Sequence, residues 1–129
     1  MFKRKSIKIL IPVIVILSFS ITSCEWKEYD PETVGIENVS FSQDIIPIFN
    51  QSCNAVGCHS ENGVPPDLSP QNAYQDLINT NMIDVANPES SELYIRMTDV
   101  TNPMPLSGVL SPRKTTTVLV WIQEGARDN

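Results

Sequence analysis

Cys53-Asn54-Ala55-Val56-Gly57-Cys58-His59 is the stretch on which the reading of this chain turns. Two cysteines are followed directly by His59, the only histidine in 129 residues. That order of residues attaches a haem covalently to a polypeptide, usually as C-x-x-C-H; here four residues separate the cysteines. Each thiol would join a vinyl group of the porphyrin as a thioether, and His59 would give an imidazole nitrogen to the iron. The adjacency of Cys58 and His59 sets the ligand's ring against the porphyrin face whose edge the cysteine holds.

The wider spacing has a conformational consequence. On a continuous helix, residues three apart lie about 60° around the axis and about 4.5 Å along it, whereas residues five apart lie about 140° around and about 7.5 Å along. Cys53 and Cys58 cannot reach two vinyls on one porphyrin edge from a regular helix. Residues 54–57 are therefore expected to form a loop, with Asn54 and Gly57 able to take the positive φ it needs. Two other chemistries compete for the same cysteines. A Cys53–Cys58 disulfide suits an exported chain but leaves the adjacent histidine unexplained. Zinc needs a fourth ligand, and with no further cysteine or histidine nearby a carboxylate would have to serve.

The N-terminal residues read as an address. Met1 to Lys8 is basic, and the apolar run from Ile9 to Phe19 is too short to span a bilayer but suits a signal h-region. It ends at Ile21-Thr22-Ser23-Cys24, which resembles a bacterial lipobox. By that resemblance residues 1–23 are a lipoprotein signal peptide and Cys24 carries the lipid anchor. An ordinary signal peptide or an uncleaved N-terminal anchor is the alternative. Loss of residues 1–23 removes four of the 9 basic residues and none of the 15 acidic ones, leaving the mature chain near −10. Such a balance argues against nucleic acid as a partner and allows a basic redox partner to be steered electrostatically. Residues 24–38, polar and acidic with little periodicity, read as a flexible tether.

The domain is expected at 39–129, built from short helices. Ser42 or Asp44 is the expected cap of the first, with Pro47 in or just after its first turn. Ile45, Ile46, Ile48, Phe49 and Cys53 follow three- and four-residue steps and lead into the cysteine loop. Ser69-Pro70 and Asn87-Pro88 read as further helix starts. The first is followed by Tyr74, Leu77 and Ile78, the second by Leu93, Tyr94 and Met97. Ser111-Pro112 opens a last helix with the stripe Val118, Trp121 and Ile122, stopping at Gly125. Trp121 is expected near the cofactor or against the first helix.

Two irregular segments carry the remaining chemistry. In residues 60–68, the carbonyl of Pro65 or Pro66 is a candidate acceptor for the second ring nitrogen of His59. In Asp99-Val100-Thr101-Asn102-Pro103-Met104-Pro105, a methionine stands between two prolines in a polar loop. The prolines hold the backbone extended, which suits presenting a thioether to a metal. Met104 is therefore the candidate second axial ligand, with Met82 and Met97 as rivals; Met97 fits a helix face as packing.

In this order the pieces resemble the exported c-type cytochrome domains, especially short bacterial ones of the planctomycete type. The matching features are Asp44-Ile45-Ile46-Pro47-Ile48-Phe49, the Cys-Cys-His set, Pro66-Asp67-Leu68, Asn87-Pro88, Met104-Pro105 and the closing Trp121-Ile122-Gln123-Glu124-Gly125-Ala126. The resemblance covers about residues 39–127. It implies an all-α, cytochrome c-like fold around one covalent haem c, with thioethers at Cys53 and Cys58 and the iron held by His59 and Met104. It implies one-electron transfer with a redox partner protein at the bacterial cell envelope, where the lipid anchor ties the chain to a membrane. With both axial positions filled, an enzyme is not expected, and a single histidine cannot support a Ser/His/Asp set. Two alternatives remain: a haem-based ligand sensor, if the methionine lets go, and a haem-free lipoprotein interaction module with a Cys53–Cys58 disulfide.

Overall fold

The structure, a computed structural model, describes residues 34–129. The signal segment, Cys24 and most of the tether lie outside the described residues. Within them the architecture is all-α, with no strand. A single wide helical turn, Phe41–Ile45, runs without a break into α1 (Ile46–Ser52). After the cysteine loop come α2 (Ala73–Asn79), a 3₁₀ turn (Pro88–Ser90), α3 (Glu92–Thr98) and the longest helix, α4 (Pro112–Gln123). No helix among the described residues is long and apolar enough to cross a membrane.

The cap of the first element is Ser40, ahead of both expected candidates, Ser42 and Asp44. Ser40 accepts from the Gln43 N–H through its hydroxyl, and Asp44 accepts the Ser40 N–H in return at 2.8 Å. This is a reciprocal cap with its acidic partner one residue further on than usual, because the turn is wide: the N–H groups of Ile45 and Ile46 bond back five residues, to Ser40 and Phe41. Pro47 follows directly. Lacking an N–H, it cannot continue the five-residue bonds, and the ladder resumes at the α spacing.

The core is built where that wide turn meets α4. Phe41 lies 5.1 Å from the Trp121 ring centroid, 5.4 Å from Tyr74 and 6.4 Å from Phe49. Ile45, Leu77, Val118 and Ile122 close around this aromatic group and are fully buried. Each such side chain contributes about 1.5–3 kcal/mol by leaving water, so short helices that would be marginal alone are held by their common centre. Trp121 thus packs against the first helical segment, its indole N–H donating to the Arg127 carbonyl at 2.9 Å. Ile78, expected on the apolar face of α2, is exposed, and Ala73 takes that place one turn before Leu77.

The ends of the domain are tied together. The Glu124 carboxylate accepts the N–H groups of Asn38 and Val39, and Asn129 receives those of Phe41 and Ser42. α4 stops as expected at Gly125, at φ +98°. The Ala126 N–H bonds to the Trp121 carbonyl and the Gly125 N–H to that of Ile122, the paired closure of a Schellman motif.

Candidate functional site

α1 delivers Cys53 to the end of its last turn, where the N–H groups of Cys53 and Asn54 both bond to the Phe49 carbonyl. The backbone then leaves the helix. Residues 54–57 form a loop: the Cys58 N–H turns back to Ala55, and the His59 N–H donates to the Cys53 carbonyl at 3.1 Å, closing the whole motif on itself. Gly57 takes φ +85°, as the spacing requires. Asn54 does not take positive φ. Its amide instead bridges Asn50 Oδ1 and the Leu68 carbonyl, pinning the loop to the segment that follows.

That segment folds back over the histidine. The Leu68 N–H donates to the His59 carbonyl at 2.7 Å, and the Val64 N–H to that of Cys58 at 2.8 Å. The return is tight enough that a Cβ on Gly63 would run into the Cys58 carbonyl. As a result His59 Nδ1 sits 3.0 Å from the Val64 carbonyl and 3.1 Å from that of Pro66. Carbonyl oxygens only accept, so Nδ1 carries a proton, and the neutral tautomer that fits this contact has its lone pair on Nε2. Pro66 was one of the two acceptors expected from sequence; Pro65 does not serve, and Val64 does.

Two connected hollows, of about 240 and 360 Å³, open beside this ring. Together they fall within the roughly 300–1,000 Å³ of small-molecule sites. Cys53, His59 and Met104 line both, whereas Cys58 lines only the larger, outer one. Both cysteines are free thiols, Cys53 half-buried and Cys58 exposed. Burial pushes the Cys53 thiol up to about 11; the Lys114 ammonium, bonded to Ser52 Oγ nearby, opposes this and the Cys58 thiol adds to it.

Met104 reaches the cleft because its loop is fastened at two points. The Asp99 carboxylate gathers Thr101 and Asn102, with hydrogen bonds from the Thr101 hydroxyl and backbone holding it below the usual carboxylate range. The Met104 N–H then donates to the Arg96 carbonyl at 3.0 Å, on the last turn of α3. Met82 and Met97 line the inner hollow alone. Met97 is 2% exposed and belongs to the core.

The walls are otherwise mostly apolar, with Pro65, Pro66, Leu68 and Leu93 within and Leu106, 79% exposed, at the rim; the charged exceptions are Glu92 and Arg96 of α3 in the inner hollow. An imidazole with an oriented lone pair, a thioether, two thiols and an apolar slot form a donor set that suits a haem. Zinc fares differently, since no group of three or more His, Cys, Asp or Glu side chains able to hold a metal ion occurs among the described residues. Sequence reasoning missed Val64, Gly63 and Arg96. Only Arg96 had a signal, three residues after Leu93 and so on the same helical face. No protein-family model matches the chain, and no similar curated protein or solved structure was found.

Proposed function

We propose that this chain is a monohaem c-type cytochrome with a cytochrome c-like fold, held at the bacterial envelope by lipid on Cys24 and carrying single electrons to or from a partner protein. The observation that supports it most is the orientation of His59. A histidine whose Nδ1 is shared between two backbone carbonyls, beside an apolar slot that also holds Cys53 and Met104, is arranged as a metal ligand is.

Cys53 and Cys58 would hold the cofactor covalently, one from the inner end of the loop and one from its exposed edge. His59 would hold the iron through Nε2, and Met104 would hold it through its thioether sulfur. Bound in this way the haem supplies a one-electron couple of relatively high potential. The chain's own contribution is to fix the ligand ring, to exclude water with Leu68, Leu93 and the two prolines, and to keep the Met104 loop fastened to α3. With His59 and Met104 both given to the iron, no site for a substrate would remain on it, so catalysis is not part of this reading.

The test is a pyridine haemochrome spectrum with intact mass, on protein produced alongside a cytochrome maturation system. A c-type spectrum and one added haem mass that survives denaturation are expected. A colourless protein with the mass of a disulfide form would sink the proposal and leave the haem-free interaction module. A haem-loaded protein lacking methionine ligation would point to the ligand sensor.

A further inference from the structure

Three sulfur-bearing side chains line the outer hollow: Cys53, Cys58 and Met104. Both cysteines are free thiols. The backbone draws them together, since the His59 N–H donates to the Cys53 carbonyl and the Cys58 N–H turns back to Ala55. Burial does most to push the Cys53 thiol up and Cys58 adds to it, so the two sulfurs feel each other. His59 lines the same hollow, yet no three-donor group of His, Cys, Asp or Glu able to hold a metal occurs among the described residues. None of the described carboxylates lines this hollow either. Such a set is too small for zinc, which takes four ligands in a structural site. It is not too small for copper(I), a soft d¹⁰ cation that accepts two or three donors and prefers thiolate and thioether sulfur.

We propose that the chain with its cysteines free is a copper(I) site, in which the thiolates of Cys53 and Cys58 hold the ion and the Met104 thioether is the third donor. A thiol that coordinates a metal is deprotonated outright, so burial of Cys53 lowers the affinity without closing the site. Two protons pass to solvent as one Cu(I) enters, and no oxidation state changes. The bound group then carries one negative charge. Lys114 suits that charge: its ammonium lies 3.3 Å from Ser52 Oγ, and Ser52 is part of the wall beside Cys53. The site does not depend on the haem reading. It uses the cysteines before any thioether is made, and copper held there would have to leave before haem could be attached.

The experiment is an anaerobic Cu(I) titration of the haem-free full-length chain, with bicinchoninate as the competing chromophore. Cys24→Ser is carried throughout, so that Cys53 and Cys58 are the only thiols. One Cu(I) per chain is expected, and that one equivalent should protect both thiols together from iodoacetamide, read by mass spectrometry. Cys53→Ser and Cys58→Ser should each weaken binding by about 100-fold or more, at least what loss of a supporting outer contact costs a metal site. Met104→Leu, which keeps the volume of the side chain, should weaken it by about tenfold. Copper that leaves either thiol as reactive as before overturns the proposal, and this readout on the parent chain needs no variant to fold. An affinity unmoved by either serine substitution overturns it too, as does one copper shared between two chains, which would mean that the two thiols do not converge. An unchanged Met104→Leu overturns the part given to the thioether. Failure of the haem reading is seen elsewhere, as a colourless protein after co-production with the maturation system, and it leaves this titration unaffected.

Discussion

At the scale of single residues, the site depends on a backbone return that leaves no room for side chains. Gly63 is needed for space, not for its dihedral freedom: a methyl there would meet the Cys58 and Ser60 carbonyls. Gly57 is the reverse case, with open space but φ +85°. We expect Gly63→Ala to cost about 1–3 kcal/mol, as overpacking does, and to disturb the His59 ring by shifting the Cys58–Val64 bond. Gly57→Ala should cost about 1–2 kcal/mol from dihedral strain alone and leave that bond intact. Denaturation midpoints of the two variants, with the haem spectrum as the site readout, separate the two effects. The cysteines offer a second check. In haem-free protein the exposed Cys58 should be alkylated well before Cys53, by roughly tenfold or more near pH 8, because the buried thiol is pushed up to about 11 and offers little thiolate. Mass spectrometry of Cys53→Ser and Cys58→Ser variants gives the two rates; equal rates would mean that Cys53 is not shielded.

At the scale of elements, the helices were legible but their starts only in part: α4 opens at Ser111-Pro112 and the 3₁₀ turn at Asn87-Pro88 as read, whereas α1, α2 and α3 do not begin where expected. Apolar spacing located every helix, since Ile45, Phe49, Leu77, Leu93, Met97, Val118 and Trp121 all proved buried. The caps were misread because residue type alone does not say whether a side-chain oxygen will meet an N–H. Ser69 looked like a side-chain cap, yet its backbone carbonyl, not its hydroxyl, accepts the Asn72 and Ala73 N–H groups, and Asn87 opens only the 3₁₀ turn, without a side-chain bond. α2 and α3 begin later, at Ala73 and Glu92, without a side-chain cap. Ser40 was overlooked because its partner Asp44 stands at the spacing of a wide turn, which apolar periodicity does not reveal. Asp67, Asp84 and Asp99 each accept N–H groups of their own turns, and Asp99 stands at the foot of the Met104 loop. Its folded pKa is lowered, so its contribution to stability is present above the unfolded value near 3.8 and is lost as pH falls through the folded one. Acid should therefore loosen the Met104 loop, and Asp99→Asn should loosen it already at neutral pH. The absorption band of methionine-bound ferric haem, followed against pH in both proteins, measures this. A band equally strong in Asp99→Asn would show that the Asp99 turn does not position Met104.

At the scale of the whole molecule, the question is how much of the fold would depend on the proposed haem. About ninety residues of short helices would be expected from sequence to fold poorly without it. The structure divides that expectation. Phe41, Phe49, Trp121 and Ile122 are packed on one another and line neither hollow, and the two ends of the domain are hydrogen-bonded together beside them. The cleft, by contrast, is walled on one side by Met82 and the α3 residues Leu93 and Met97 and otherwise by residues from the segments 53–68 and 99–107, which have no regular helix and expose Val56, Val64, Val100 and Leu106 to water. On the haem reading, these walls would lack the apolar surface of the cofactor in its absence, while the aromatic centre would lose nothing. We therefore expect the Cys53→Ser/Cys58→Ser protein to keep α4 and the Phe41–Ser52 segment protected from hydrogen exchange, and to lose protection at 53–68 and 96–107. Protection lost uniformly would mean that the haem is part of one cooperative core with the aromatic cluster. Protection retained throughout would mean that the cleft walls stand without a cofactor, and the haem reading would then have to rest on the covalent mass alone.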